Sequence, residues 1–286
     1  MLAPPRGSGQ KPAMPPPLPT LRETPPPRHQ ALPVLAGIAR MVADNPGPMT
    51  YHGTNCWLLD LPAGRAVIDP GPDDPAQTAA ILAGGPVALI LLTHAHRDHA
   101  DGAPALARAS GAPVLAHRSS RLAVDRRIDD GDEVAGLRAV HTPGHASDHL
   151  CFVHPGGALF SGDQVMGWSS SVVGPPDGDM AAYLASLERL AAGAHGPYLP
   201  GHGPVIGEPG PYLAALREHR LAREAEILAA LAQAPAGAEA LLARIYSGLA
   251  ENLRAPAART LAAHLIKLAD EGRILHTQEL WRLARR

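Results

Sequence analysis

The feature that most constrains this sequence is a cluster of histidine and aspartate residues directly after an apolar run. The run covers residues 87–92, and residues 93–99 read Thr-His-Ala-His-Arg-Asp-His. Neutral imidazole and carboxylate groups are good ligands for zinc, and they also suit iron and manganese. A buried strand that ends in such a cluster brings several ligands to one point. The cluster therefore predicts a metal site, in preference to a solvated histidine-rich turn.

Composition and charge describe an ordinary globular protein and argue against several classes. Hydrophobic residues make up 45% of the chain, yet no apolar run reaches the roughly 18 residues that a membrane helix requires. Prolines interrupt the first residues, so no secretory segment is expected. Cys56 and Cys151 follow no paired spacing, which predicts buried free thiols and a cytoplasmic location. A net charge of -2 argues against polyanion binding over the whole surface.

Four regions follow one another along the chain. Proline-rich residues 1–30 have too little apolar content to fold alone and are expected to form a disordered extension. Residues 31–210 alternate short apolar runs with helical segments, which predicts an α/β layered domain. Residues 211–237 begin with proline and are rich in helix formers, which favours a linker helix. Residues 238–286 predict two helices and then two short strands, which is the order of a winged helix.

A winged helix has two common uses, and the sequence leaves both open. Its second helix would contact DNA or RNA if the module bound nucleic acid. Residues 238–286 contain only a small excess of basic over acidic residues, which is a weak nucleic-acid signal. Such modules also mediate dimer formation or cover a substrate site. We favour this structural role slightly, and a homodimer is one arrangement consistent with it.

Three further candidate ligands follow apolar runs later in the chain, each beside a glycine. They occur in the pairs Gly144-His145, Gly162-Asp163 and Gly201-His202. Glycine lets the backbone approach a neighbour closely, and loops at one edge of a rigid layer often carry functional sites. We therefore expect these residues to join the first cluster.

Together with Asp69-Pro70-Gly71 upstream, these motifs in this order resemble those of the metallo-β-lactamase superfamily. The resemblance implies an α/β fold, the αββα sandwich, with two metal ions in a cleft at the edges of its sheets. The implied ligands are His94, His96 and His145 for the first ion and Asp98, His99 and His202 for the second. Asp163 would bridge the two ions. Asp69 would hydrogen-bond ligand side chains and fix their orientation.

The implied chemistry is hydrolysis at a dinuclear metal centre. Two divalent ions would share a water molecule and lower its pKa, so that hydroxide attacks the substrate near neutral pH. Zinc is the expected metal, and manganese and iron are the alternatives. Asp98 is expected to orient the hydroxide, and is therefore a catalytic candidate as well as a ligand. His149 is the second catalytic candidate, with a structural hydrogen-bonding role as its alternative.

Two segments resemble one branch of the superfamily, that of the beta-lactamase-like protein 2 endoribonucleases with a C-terminal winged helix. They are residues 168–183 and residues 264–273, and they extend the resemblance over about residues 35–286. The branch includes enzymes that cleave single-stranded RNA, and its fungal relatives include thioesterases. The expected partner is therefore a small-molecule substrate or single-stranded RNA, and no membrane.

The sequence gives some evidence on whether the substrate is RNA or an acyl compound, but it does not decide between them. RNA binding requires a basic groove and stacking aromatic residues, whereas aromatic residues form only 3% of this chain. An apolar pocket near Trp168, Val172 and Val173 would suit an acyl chain, although these residues could also pack a lid. A mononuclear-iron sulfur dioxygenase is a further alternative, and a non-enzymatic winged-helix nucleic-acid binder is the least favoured.

Overall fold

A mixed seven-stranded sheet forms the first half of the predicted catalytic domain, residues 31–210. The structure, a computed structural model, describes residues 18–193 and 196–284. In order across the sheet, the strands are β1 (Leu32–Leu35), β2 (Ile38–Val42), β3 (Asn55–Leu61), β4 (Gly64–Ile68), β5 (Val87–Leu91), β6 (Val114–His117) and β7 (Arg126–Ile128). Strands β1 to β4 pair antiparallel, and β4 to β7 pair parallel. The parallel strands therefore all end at one edge.

A five-stranded sheet forms the second half. Its strands are β8 (Glu133–Val134), β9 (Leu137–His141), β10 (Leu150–Val153), β11 (Leu159–Gly162) and β12 (Tyr198–Pro200), in the spatial order β12-β11-β10-β9-β8. The two sheets pack face to face, because Trp57 and Leu91 of the first sheet share one buried cluster with Phe152 and Phe160 of the second.

Helices cover the outer faces of both sheets. Helices α1 (Pro75–Ala83) and α3 (Ala103–Ser110) share a buried cluster with the first sheet, and the short α2 (Arg97–Ala100) lies between them in the chain. Helix α4 (Met180–Ala192) and the start of α5 (Pro209–Gln233) cover the second sheet. Strands buried on both faces read as continuous apolar runs. The layers confirm the predicted αββα sandwich.

Strand β3 shows how the sequence encodes these layers. Alternate side chains of a strand point to opposite faces. Trp57 and Leu59 enter the cluster between the sheets, whereas Cys56 and Leu58 enter the cluster under the helices. Cys56 and Cys151 are both buried and free, as predicted.

The C-terminal module has the predicted winged-helix order. It comprises α6 (Ala238–Ile245), a short 3-10 helix (Glu251–Leu253), α7 (Arg254–Asp270) and the hairpin of β13 (Ile274–Thr277) and β14 (Leu280–Leu283). Helix α5 joins it to the catalytic domain, because Tyr212 packs on the second sheet and Ile227 packs in the module's own core. Among the described helices, none is long and apolar enough to span a membrane.

The structure differs from the expectation of disorder over residues 18–30. Leu18 and Leu21 pack against the core under α4, and Leu21 N donates to Gly167 O at 2.8 Å. Glu23 forms a salt bridge with Arg40 at 2.9 Å. The segment has no core of its own, but its extended backbone is anchored on a surface that the catalytic domain has already formed. Residues 1–17 of the predicted extension lie outside the described residues.

Candidate metal centre

The candidate ligands lie where strands of both sheets end. The loop after β5 leads directly into α2, and the loops after β9, β11 and β12 approach it from the second sheet. Strands β9, β11 and β12 run in the same direction, since β9 and β11 are antiparallel to β10 and β12 is parallel to β11. These loops bring together all seven predicted ligands: His94, His96, Asp98, His99, His145, Asp163 and His202.

The first ligand group consists of His94, His96 and His145. Nε2 of His94 and Nε2 of His145 each lie 2.9 Å from Nδ1 of His96. One nitrogen from each ring therefore faces a common point. Three imidazole nitrogens are a usual partial ligand set for zinc.

The second ligand group consists of Asp98, His99 and His202. Nε2 of His202 lies 3.2 Å from Nε2 of His99 and 3.2 Å from Oδ2 of Asp98. Both histidines are fully buried, whereas the side chain of Asp98 is 32% exposed. Asp98 is therefore the member of this group that reaches the open side of the site.

Asp163 lies between the two groups and faces both. Its Oδ1 is 3.4 Å from His99 Nε2 and 3.6 Å from His202 Nε2, while its Oδ2 is 3.6 Å from His145 Nε2. Oδ1 is buried and has no well-oriented hydrogen-bond donor among the described residues. A buried carboxylate oxygen without a donor is costly. A cation on each side of Asp163 would remove that cost, so the residues present fit a pair of metal ions.

Asp69 has the position that the sequence predicted for a residue that orients a ligand. Its Oδ2 accepts hydrogen bonds from His99 Nδ1 at 2.8 Å and from Thr93 Oγ1 at 2.6 Å. Its Oδ1 accepts the Thr93 backbone N–H at 2.7 Å. A carboxylate on Nδ1 keeps the opposite nitrogen of His99 directed into the site and makes it a better ligand.

The contacts of His149 match the structural hydrogen-bonding role that the sequence left open beside a catalytic one. It is fully buried, and both ring nitrogens are engaged within the protein. Its Nε2 accepts the Asp163 backbone N–H at 3.1 Å, so Nδ1 carries the proton and donates to Thr142 Oγ1 at 2.9 Å. A Cβ at Gly162 would lie only 2.6 Å from His149 Nε2. His149 is thus a positioning residue that holds the backbone of Asp163.

A backbone carbonyl orients one histidine in each ligand group. Nδ1 of His145 lies 2.7 Å from Val172 O, and Nδ1 of His202 lies 3.3 Å from Gly53 O. Glycine at position 201 is required by space, since a Cβ there would lie 2.6 Å from Cε1 of His99. Gly201, next to His202, therefore allows the close backbone approach that the sequence predicted for the glycines beside the ligands.

Three polar residues that hold the ligand loops were not predicted from the sequence. Thr93 and Thr142 bond the orienting residues described above, and Asn55 Nδ2 donates to the carbonyls of Pro200 and Gly203 at 2.9 and 2.8 Å. All three are buried polar residues at the end of a strand. That placement is the one local signal that could have indicated them.

Several candidate ligands have pKa values shifted toward the forms that bind metal, whereas the carboxylates of Asp163, Asp98 and Asp69 raise the pKa of His99 well above its usual value against burial. Burial, with the neighbouring histidines, holds the pKa of His94 well below its usual value and lowers that of His96 to about 4. Burial alone would raise the pKa values of Asp98 and Asp163, but the nearby imidazoles of His99 and His202 outweigh it and keep both values low. Neutral imidazoles and ionised carboxylates are the forms that coordinate a cation.

Comparisons with known proteins agree with the fold and the site. The metallo-beta-lactamase superfamily profile matches residues 49–131, and the beta-lactamase associated winged helix domain profile matches residues 238–281. The chain is 32% identical to a beta-lactamase-like protein 2 homolog of Drosophila melanogaster over 84% of this chain and 90% of that protein. It is also 32% identical to the atrochrysone carboxyl ACP thioesterase dmxR1 of Cryptosporiopsis sp. (strain 8999), over 73% of this chain and 67% of that protein.

A solved structure shows the same fold over nearly the whole chain. It is the crystal structure of a beta-lactamase domain protein from Burkholderia ambifaria, with a TM-score of 0.79 and 23% identity, covering 92% of this chain and 96% of that one. The fold and the ligand arrangement define a hydrolase of the metallo-β-lactamase type. The chain belongs to the metallo-β-lactamase superfamily, and it carries the winged-helix domain associated with that family.

Proposed function

We propose that the protein is a dinuclear metal-dependent hydrolase that cleaves acyl thioesters or related esters. The observation that carries the proposal is the carboxylate of Asp163, which directs one oxygen to each of two ligand groups. A ligand set of imidazoles and carboxylates fits two Zn²⁺ ions, and it also fits Mn²⁺ or iron. The complete second group argues against a single-iron dioxygenase, which would need only one set of ligands.

A bound pair of divalent ions would supply Lewis acidity and lower the pKa of water held between them. Asp98 is the protein group placed to act on that water. Its Oδ2 lies against His202 and His99, at 3.2 and 3.7 Å, which leaves Oδ1 to accept a hydrogen bond from the attacking water and orient it. In the overall reaction the water oxygen bonds to the acyl carbon and the carbon–sulfur bond breaks. The products are a carboxylate, a thiol and a proton that passes to the solvent.

The surroundings of the centre favour an acyl substrate over RNA. An apolar groove beside it is lined by methionine, leucine and tryptophan side chains, including Met49, Met166 and Trp168. Single-stranded RNA binds instead to basic grooves with several stacking aromatic residues. One of the similar proteins is named an ACP thioesterase. Endoribonuclease activity on single-stranded RNA is the alternative to test.

The test is a substrate panel with the purified full-length protein. Metal-free protein would be loaded separately with Zn²⁺, Mn²⁺ and Fe²⁺ and offered acyl-pantetheine thioesters, p-nitrophenyl esters and single-stranded RNA. We expect thioester hydrolysis that requires two metal ions per chain and is abolished by a chelator. RNA cleavage without thioester hydrolysis would replace the acyl assignment, and full activity in the metal-free protein would overturn the metal-dependent mechanism.

A further inference from the structure

A groove lies between the catalytic domain and the winged-helix module, and both contribute its walls. Met49, Met166, Trp168 and Val172 line it from the catalytic domain, and Leu249 and Leu253 line it from the module. Its cavity volume is about 150 Å³, whereas sites that enclose a whole drug-sized ligand measure roughly 300–1,000 Å³. The groove is therefore the right size for one apolar part of a larger substrate.

Two residues that line the groove also contact the loops of the metal centre. The carbonyl of Val172, in one wall, accepts a hydrogen bond from the His145 ring at 2.7 Å. The indole of Trp168 packs so closely on Gly203, next to His202, that a Cβ at Gly203 would lie 2.6 Å from it. One chain segment thus contacts His145 of the first ligand group and the residue next to His202 of the second, so this wall of the groove adjoins the metal centre.

The wall that carries Trp168 is fixed in place. Its ring stacks on Tyr51 with the ring centroids 5.1 Å apart, and Tyr212 donates a hydrogen bond to Met166 O at 2.5 Å. Val173, which the sequence grouped with Trp168 and Val172, is fully buried and belongs to the core under α4. Of these three residues, only Trp168 and Val172 line the groove. The contacts of Trp168 and Met166 hold this wall of the groove in place.

We propose that this groove binds the acyl chain of the substrate and sets the chain length that the enzyme prefers. The inference rests on the proposed thioesterase function. Leu249 is 38% exposed and Met49 is 42% exposed, so an acyl chain would cover apolar surface that both domains present. The indole N–H of Trp168 is buried without a hydrogen-bond acceptor among the described residues.

The first test measures kcat/KM against acyl length for a series of acyl-pantetheine thioesters from two to twelve carbons. Burying a methylene group raises binding by about fourfold, so kcat/KM should rise by roughly that factor per carbon until the groove is full. Leu253→Trp and Leu249→Trp fill the groove from the module side. We expect each to lower kcat/KM at least tenfold for the longest good substrate and less than twofold for the acetyl thioester.

The matched control is Leu275→Trp. Leu275 is 42% exposed, like Leu249, but it lies on the β13–β14 hairpin and does not line the groove. This variant should keep the wild-type length profile. If wild-type protein hydrolyses thioesters and the groove variants keep the same profile, the groove assignment is wrong while the proposed function stands.

A second test measures binding to the groove in the absence of hydrolysis. Decanoate added to the metal-loaded protein should change tryptophan fluorescence saturably, and Trp168→Phe should remove that change while Trp281→Phe retains it. Leu253→Trp should weaken decanoate binding at least tenfold, as measured by calorimetry. Absence of saturable decanoate binding by the wild-type protein would overturn the inference. Saturable binding without hydrolysis of any thioester would reject the proposed function and retain the groove as an acyl site.

Discussion

Two buried clusters of histidine and carboxylate in the described part of the chain differ in the side chains that surround the carboxylate. In the metal centre, Asp163 Oδ1 is surrounded by imidazoles and has no hydrogen-bond donor among the described residues. In the winged-helix module, Glu224 is equally buried, but Lys267 Nζ donates to its Oε2 at 3.0 Å and Arg273 lies 3.8 Å away. The second cluster contains lysine and arginine side chains, whereas the carboxylate of Asp163 faces histidines.

This difference distinguishes a structural cluster from a binding site. A buried charge must be paired or bind a metal ion. Glu224 joins α5 to α7 through Lys267 and through His264, whose Nδ1 lies 3.4 Å from Oε1. Asp163 instead faces candidate metal ligands carried by loops of both sheets. The comparison predicts that removing Asp163 affects metal binding and that removing Glu224 affects folding.

The largest expected effect is that of Asp163→Asn on activity. The amide keeps the shape but loses the charge shared by the two ligand groups, so we expect no more than one tightly bound metal ion per chain. Hydrolysis should fall roughly a thousandfold or more, because two-metal chemistry needs both ions. Metal content by mass spectrometry and kcat/KM measure this. Glu224→Gln is the control and should keep the wild-type metal content; equal loss in both variants would contradict the comparison.

Glu224→Gln should in turn destabilise the C-terminal module. Removing one partner of a buried ion pair typically costs 3–5 kcal/mol. We expect a loss of about 3 kcal/mol in the free energy of unfolding, the lower end of that range, because Lys267 keeps Glu271 at 2.7 Å. Urea unfolding followed by Trp281 fluorescence reports this core. Glu239→Gln, at a pair with a 78% exposed carboxylate, should change nothing measurable.

His149→Ala tests whether this histidine positions Asp163 or takes part in the reaction. Loss of a residue that orients a ligand typically lowers metal affinity or activity 10–100-fold. We expect the metal dissociation constant to rise by that amount, and added metal to restore most of the activity. Thr142→Val, which removes the acceptor on the other side of the ring, should weaken binding in the same direction. Lost activity with unchanged metal affinity would support the catalytic role that the sequence suggested.

The cluster at residues 94–99 could be predicted as a metal site because its chemistry is local, whereas the roles of His145, Asp163 and His202 were implied by the resemblance to the superfamily. Imidazoles directly after an apolar run mark a site wherever the run lies in the fold. The sequence left the role of His149 open between catalysis and structural hydrogen bonding, because its partner is the backbone of Asp163, 14 residues further along the chain. Strands β7 and β8 lack apolar periodicity, and they form only by pairing with neighbouring strands. Residues 18–30 likewise depend on a surface built by later residues.

The smallest expected effect is acid sensitivity of the cluster around Glu224. Burial lowers the pKa of His264, which faces Glu224, Arg220 and Lys267. The unfolded chain therefore binds a proton below about pH 6.5 that the folded module resists, so stability should decline as the pH falls through that value. The low pKa of Glu224, held down by His264 and Lys267 against burial, adds a further loss below about pH 4.5.

Hydrogen-exchange protection factors of the α7 amides, measured between pH 7.5 and 4, would show this decline. His264→Phe removes the titrating group from the buried cluster and should flatten the profile between pH 7 and 5 while leaving the decline at lower pH. Protection that stays constant to pH 4 in the wild-type protein would mean that the Glu224 cluster is not held by its charges. The contrast with the metal centre would then rest on geometry alone.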